Sequence, residues 1–234
     1  MQASSPRYAL YFTPQPRASL AQFGASVLGY DSFNGGSVAR IDLNGIAAAA
    51  LEAATVAPRK YGFHATLAAP FTLDDKHTEG NLLEALDTFC DQASPASLGL
   101  LRVNALGDFI ALTPGEASSV DELARQCVTF FDAFRAPLGP DDIARRSNAR
   151  LTPRQQAHLT RWGYPYVFED FRFHMTLTGL LGADEKSRFL AVLTDAFAPL
   201  AGLSYDVDAV SLLRQADSRS CFEVMARKDL QGRG

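Results

Sequence analysis

Apolar and polar positions alternate near the start of this chain and shift to helical spacing soon after. In "RYALYFT" (7–13), Tyr8, Leu10 and Phe12 share one side and Ala9 and Tyr11 the other, which predicts a strand. "PRASLAQFGASVLG" (16–29) predicts a helix, with Pro16 suited to the first turn and Gly29 to the stop. The alanine-rich 44–55 predicts a second helix. Amphipathic patterns over 79–93 and 118–135 predict two more, the latter capped by Ser119 or Asp121. Residues 97–114 read as two strands joined near Leu106-Gly107-Asp108. Thr152-Pro153 opens a helix over 152–163, and 184–198 is another. Strands are expected near 203–214 and 219–227. Segment 32–40 is turn-rich, and 136–150 is a polar loop carrying Arg145, Arg146 and Arg150.

Two stretches share one short pattern. "RKYGFHATLAAPF" (59–71) centres on Phe63-His64-Ala65-Thr66-Leu67, and "FRFHMTLTG" (171–179) on Phe173-His174-Met175-Thr176-Leu177. Read as strands, they put Phe63, Ala65 and Leu67, and Phe173, Met175 and Leu177, on apolar faces. The opposite faces carry Lys60, His64 and Thr66 in one copy and Arg172, His174, Thr176 and Thr178 in the other. Each copy is followed by a helix and then strands. This weak internal repeat suggests an α+β fold of two similar lobes about a local twofold, with the histidine strands meeting at the middle. Residues 1–234 then form a single bilobal domain.

Composition narrows the function. The chain has 234 residues, 47% hydrophobic and 21% charged, as expected for a globular protein with a real core. A net charge of −4 argues against binding long nucleic acid, yet leaves room for a small anionic substrate held by local cations. Cys90, Cys127 and Cys221 are odd in number and widely spaced, which fits reduced thiols in the cytoplasm better than a disulfide framework. The N-terminus lacks a signal-peptide pattern, and no apolar run reaches the roughly 18 residues needed to span a membrane. There is no G-x-S-x-G, G-x-x-x-x-G-K-S/T or G-x-G-x-x-G pattern, so serine hydrolases, P-loop enzymes and Rossmann dehydrogenases lack support.

The repeated unit suits chemistry at phosphorus. Histidine changes charge near neutral pH and threonine donates a hydroxyl. Two such units around one centre supply one imidazole to take a proton from an attacking hydroxyl or water and another to protonate the leaving oxygen. The hydroxyls of Thr66 and Thr176, with Lys60 and Arg172, would bind the non-bridging oxygens. Such a scheme requires neither metal nor cofactor. The competing metal-site reading has one ligand per strand and no H-x-H or HExxH spacing. A packing duplication explains the Phe and Leu but not the polar face. Tyr11 could touch substrate from the neighbouring strand, Arg146 could belong to a closing lid, and Arg214 could reach the cleft. Tyr164 and Tyr166 read as packing residues or a nucleoside-binding wall. His77 reads as solvated, His158 as surface or partial core.

The two H-x-T-L copies, each after an aromatic residue and 110 positions apart, resemble the two-histidine phosphoesterase superfamily. With "RKYGFHATL", "RWGYPYVFEDFRFHMTLTG" and "LLRQ", they resemble the branch that accompanies bacterial phosphonate-utilisation (carbon–phosphorus lyase) genes. That resemblance spans nearly the whole chain. It implies a bilobal α+β fold with H-x-T strands facing a central cleft, and metal-independent opening of cyclic phosphates. It makes His64 and His174 the acid–base pair and Thr66 and Thr176 the phosphate-binding hydroxyls. A phosphoribosyl 1,2-cyclic phosphate is the substrate it favours. A cyclic nucleotide, a cyclic RNA end, or a non-catalytic protein binding a phosphosugar or nucleotide are the alternatives.

Overall fold

The computed structural model describes residues 5–115, 119–139 and 151–232. Along the chain run β1 (Arg7–Phe12), α1 (Ser19–Leu28), a small hairpin of β2 (Tyr30–Asp31) and β3 (Gly36–Ser37), and α2 (Ala48–Arg59). Next come β4 (Ala65–Thr72), α3 (Glu79–Gln92), β5 (Ala96–Leu106), β6 (Phe109–Pro114) and α4 (Val120–Phe131). Then follow α5 (Pro153–Trp162), β7 (Met175–Thr176), α6 (Ala183–Phe197), β8 (Ser204–Val207), β9 (Ala209–Gln215) and β10 (Glu223–Asp229).

The long strands form one eight-stranded sheet in the order β10-β9-β1-β4-β7-β6-β5-β8. Its ladders are antiparallel. The sheet is two four-stranded halves joined where β4 meets β7, which is the bilobal α+β arrangement that the repeat implied. Both histidine strands lie at that seam. A pair of strands downstream of each histidine crosses over: β5 and β6, downstream of His64, join the half containing β7 and β8. Strands β9 and β10, downstream of His174, complete the half containing β1 and β4.

Alternation decides which face each side chain takes. Phe63, Ala65, Leu67, Phe173, Met175 and Leu177 are all buried in the main core. Helices cover that face, with α3 on β9 and β10, α6 on β5 and β6, and α4 on β4. Burying a Leu or Phe side chain is worth about 1.5–3 kcal/mol, so this face fixes the register of both motif strands. Helix α1 approaches so closely that a Cβ on Gly24 would lie 2.0 Å from the Phe63 ring. The other face of the sheet carries the polar half of each motif.

Several element boundaries differ from those the sequence suggests. Helix α1 begins at Ser19, leaving Pro16 outside it. Helix α2 runs on through Pro58 to Arg59; proline has no N–H to give the Ala54 carbonyl, which accepts from the Gly179 N–H at 2.6 Å instead. Helix α3 is closed by a capping box between Thr78 and Asn81. Ser119 occupies the N-cap of α4, but its hydroxyl accepts from the Ser97 N–H instead. The second motif contributes only Met175–Thr176 to the ladder, since the Leu177 and Thr178 N–H groups both turn to the Ile110 carbonyl. Cys90, Cys127 and Cys221 are unbonded thiols.

Candidate functional site

The seam between β4 and β7 sets the site. Ala65 pairs directly with Met175. Continuing that antiparallel register by one residue each way sets His64 opposite Thr176 and Thr66 opposite His174. The four Cα atoms outline a rectangle of about 5 Å across by about 7 Å along, with the two histidines on one diagonal and the two threonines on the other. All four side chains line one cleft of about 870 Å³.

Each imidazole is held the same way. His64 Nδ1 donates to the Gly62 carbonyl at 2.9 Å, and His174 Nδ1 donates to the Arg172 carbonyl at 2.8 Å. In both copies the partner is the carbonyl two residues upstream. A proton held on Nδ1 leaves Nε2 to exchange protons with a ligand. His64 Nε2 lies 3.3 Å from the Thr66 hydroxyl. Gly62 can place its carbonyl there because its φ is +71°, a conformation that disfavours a side chain, and its Cβ position is already crowded by Ser32.

The surroundings of the two rings differ. Tyr11 stacks flat on His64, while Phe109 meets His174 at a tilt of 56° with centroids 5.7 Å apart. The difference follows from the neighbouring strands, where Tyr11 stands beside Thr66 but Ala111 beside Thr176. Burial draws the His64 imidazole down to about 4, against the hydrogen bond to Gly62 and with a further push from His174. Burial also holds the Tyr11 phenol well above its ordinary range, so it remains neutral.

The remaining candidates fall in different places. Tyr11 is only 1% exposed, stacks on His64 and lines the cleft beside it. Lys60 lines the cleft, but not by strand phase: it is the residue after α2, and its Nζ donates to the Ser218 carbonyl. Arg172 turns back to the carbonyls of Glu169 and Phe171 beside an apolar pocket that adjoins His174. Arg214 was expected near the cleft, but it shares the helix-covered face with Leu212 and Tyr8 and pairs with Glu79 at 2.8 Å. Strand alternation puts Gln215, not Arg214, on the cleft side. Thr178 is buried, its hydroxyl accepting from the Ile110 N–H. Arg145, Arg146 and Arg150 lie outside the described residues.

The cleft also gathers Arg7, Tyr61 and Tyr164. Arg7 could have been anticipated from its phase with Ala9 and Tyr11 on β1. Tyr164 and Tyr166 meet edge to face at 5.6 Å and border both the cleft and the apolar pocket of about 470 Å³. The segment leading to the second motif is fastened by Asp170, which accepts from Arg154 and Gln155 and faces His158 at 3.6 Å. The hydrogen bonds from Arg154 hold its carboxyl down at about 2. His158 is half-buried with its Nδ1 beyond hydrogen-bond distance of Asp170, and His77 lies against Phe134 at 4.5 Å. Among the described residues, no three His, Cys, Asp or Glu side chains converge as a metal-binding cluster, and no helix is long and apolar enough to cross a membrane.

A family model described as a protein of unknown function (DUF1045) matches residues 66–223. A curated relative from Janthinobacterium sp. (strain Marseille), named ribose 1,5-bisphosphate phosphokinase PhnN, is 39% identical over 236 residues, covering 99% of this chain and 52% of that protein. A relative of the same name from Laribacter hongkongensis (strain HLHK9) is 33% identical over 220 residues, covering 93% of this chain and 50% of that one. The chain thus spans about half the length of the curated relatives it matches.

Proposed function

The chain belongs to the DUF1045 family, and from the geometry of the cleft we propose that it is a phosphodiesterase that opens cyclic phosphates with His64 and His174 as its acid–base pair. The observation that carries this reading is the diagonal placement of two imidazoles, each with Nδ1 tied to a backbone carbonyl, across one cleft. In-line displacement needs attacking and leaving oxygens on opposite sides of phosphorus, and a diagonal pair can serve both.

His64, neutral at pH 7, takes a proton on Nε2 from a water that attacks phosphorus. The ring P–O bond breaks, and protonated His174 gives its Nε2 proton to the departing alkoxide. One water is consumed, and proton exchange restores both rings. The hydroxyls of Thr66 and Thr176 donate to the non-bridging oxygens, where negative charge builds in the transition state. We read these residues as the signature of the two-histidine phosphoesterase superfamily, on the resemblance of the two H-x-T-L stretches.

The substrate we favour is phosphoribosyl 1,2-cyclic phosphate, in phosphonate breakdown. Opening its bond between phosphorus and O2 yields ribose 1,5-bisphosphate, the compound in the relatives' names. The phosphokinase activity those names describe we assign to the half of the relatives outside the match, since this chain has no G-x-x-x-x-G-K-S/T loop. A second reading, a cyclic nucleotide or cyclic RNA end, draws support from the apolar pocket walled by Phe109, Tyr164, Tyr166 and Phe168 beside His174, which suits a planar base. A panel of these cyclic phosphates, assayed with EDTA present and with products identified by phosphorus NMR, tests the proposal. Binding without turnover of any of them would leave a phosphate-binding protein instead.

A further inference from the structure

We infer that the cleft contains a second anion subsite, formed by Arg7 and Lys60 against the loop 216–222, and that the substrate carries a second phosphoryl group there. The inference rests on the function proposed above and narrows it to cyclic phosphates of a sugar that is itself phosphorylated.

Arg7 and Lys60 come from distant elements, β1 and the end of α2; Lys60 reaches the loop directly and Arg7 reaches it through Gln215, at the end of β9. Arg7 donates from Nε and Nη2 to Gln215 Oε1 at 2.8 and 2.5 Å. Gln215 is fully buried, and its own Nε2 donates to the Ser220 carbonyl at 2.7 Å. Lys60 donates from Nζ to the Ser218 carbonyl, while its backbone carbonyl accepts from Phe222 N–H at 2.8 Å. Both side chains therefore hold neutral oxygens. Arg125, Arg135, Arg154, Arg161, Arg214 and Arg227 are each paired with a carboxylate, and Arg40, Arg59 and Arg172, which also hold neutral oxygens, do not line the cleft.

Charge in the cleft follows. Its described lining includes Arg7 and Lys60 but no Asp or Glu, in a chain whose net charge is −4. The loop's own carboxylate, Asp217, is turned onto the N–H groups of Arg219 and Ser220 at 2.7 and 3.0 Å. Two positive charges against neutral dipoles attract a dianion. A phosphate monoester would take charge-assisted bonds in place of the weaker ones to amide oxygens.

The subsite is at one end of the cleft and connected to the reacting centre. The Arg7 guanidinium stands 5.5 Å from the Phe222 ring, which lies 6.2 Å from Tyr11, the residue stacked on His64. Along β1, four residues separate Arg7 from Tyr11, about 13 Å between Cα atoms. The long Arg7 side chain closes part of that span, leaving room for a pentose between two phosphoryl groups.

Two measurements test this. With EDTA present, kcat/KM is compared for ribose 1,2-cyclic phosphate with and without a 5-phosphate. Ribose 5-phosphate, which has no bond to open, is titrated calorimetrically into the wild type and Lys60→Gln. We expect the 5-phosphate to raise kcat/KM about 100-fold or more, and Lys60→Gln to cut that preference and weaken ribose 5-phosphate binding by about tenfold or more, as loss of a charged hydrogen bond implies. Equal kcat/KM for the two cyclic phosphates, with ribose 5-phosphate bound equally by wild type and variant, overturns the subsite and leaves the phosphodiesterase reading standing. No turnover of either, with ribose 5-phosphate binding that Lys60→Gln weakens, overturns the phosphodiesterase reading and leaves the subsite.

Discussion

The ring of Tyr11 lies face to face with the imidazole of His64, centroids 3.8 Å apart and planes 18° from parallel. The stack shields one side of the imidazole from water, and burial is the main cause of its low proton affinity. As a base, His64 works in its neutral form, so kcat/KM is expected to fall as pH drops through about 4 rather than through the ordinary histidine value near 6.5. Tyr11→Leu should let water in and move that acid limb upward, whereas Tyr11→Phe should leave it in place. A pH profile of each variant reads the result, and an unmoved limb in Tyr11→Leu would separate the stack from the titration. Stability has a matching sign. Between about 6.5 and about 4 the unfolded chain binds a proton that folded His64 refuses, so stability declines as pH falls through that window. His64→Gln should flatten this part of a denaturation series.

Removing either imidazole should lower kcat by about 10²–10⁴ while circular dichroism stays native. The two losses should differ in kind. An ester whose leaving group departs without a proton should rescue His174→Ala and not His64→Ala. Rescue of His64→Ala alone would reverse the acid and base roles. EDTA should leave the wild-type rate unchanged.

Gly62→Ala probes the carbonyl that anchors His64. The backbone there has φ of +71°, and a Cβ would lie 2.8 Å from Ser32 Cβ. The conformation alone costs about 1–2 kcal/mol for a residue with a side chain. We expect a lower melting temperature and a drop in kcat, because the peptide must turn and release Nδ1. Unchanged kinetics would mean that the hydrogen bond to Gly62 is dispensable.

Gly24→Ala acts from the opposite face of the sheet. Its Cβ would meet the Phe63 ring at 2.0 Å, and overpacking of this sort costs about 1–3 kcal/mol. Urea denaturation should show that loss. Because Phe63 and His64 are consecutive, a displaced Phe63 should slow turnover as well. Wild-type stability would show that α1 can retreat without penalty.

The motif strands were legible because alternation is a direct consequence of strand geometry. Once Phe63, Leu67, Phe173 and Leu177 go inward, His64 and Thr66 and His174 and Thr176 must go the other way. Helices α3, α5 and α6 were legible from apolar spacing and, for α5, from Thr152-Pro153. Arg214 shares the parity of Leu212 along β9, which turns it to the helix-covered face and away from the cleft. Lys60 keeps no strand phase, because α2 continues to Arg59 and carries it to the cleft from a different direction. The Tyr11–His64 stack and the placement of Arg7 depend on which strand lies beside which. That pairing is decided by long-range burial, and no local pattern encodes it.

The crossing of β5 and β6 into one half of the sheet, and of β9 and β10 into the other, makes the halves topologically interlocked. A ribosome emitting this polypeptide must finish β10 before the β1–β4 half acquires its full complement of neighbours. Nascent chains ending after β6 should expose β1 as a sticky edge, recruit chaperones, and complete the sheet only once β9 and β10 have emerged.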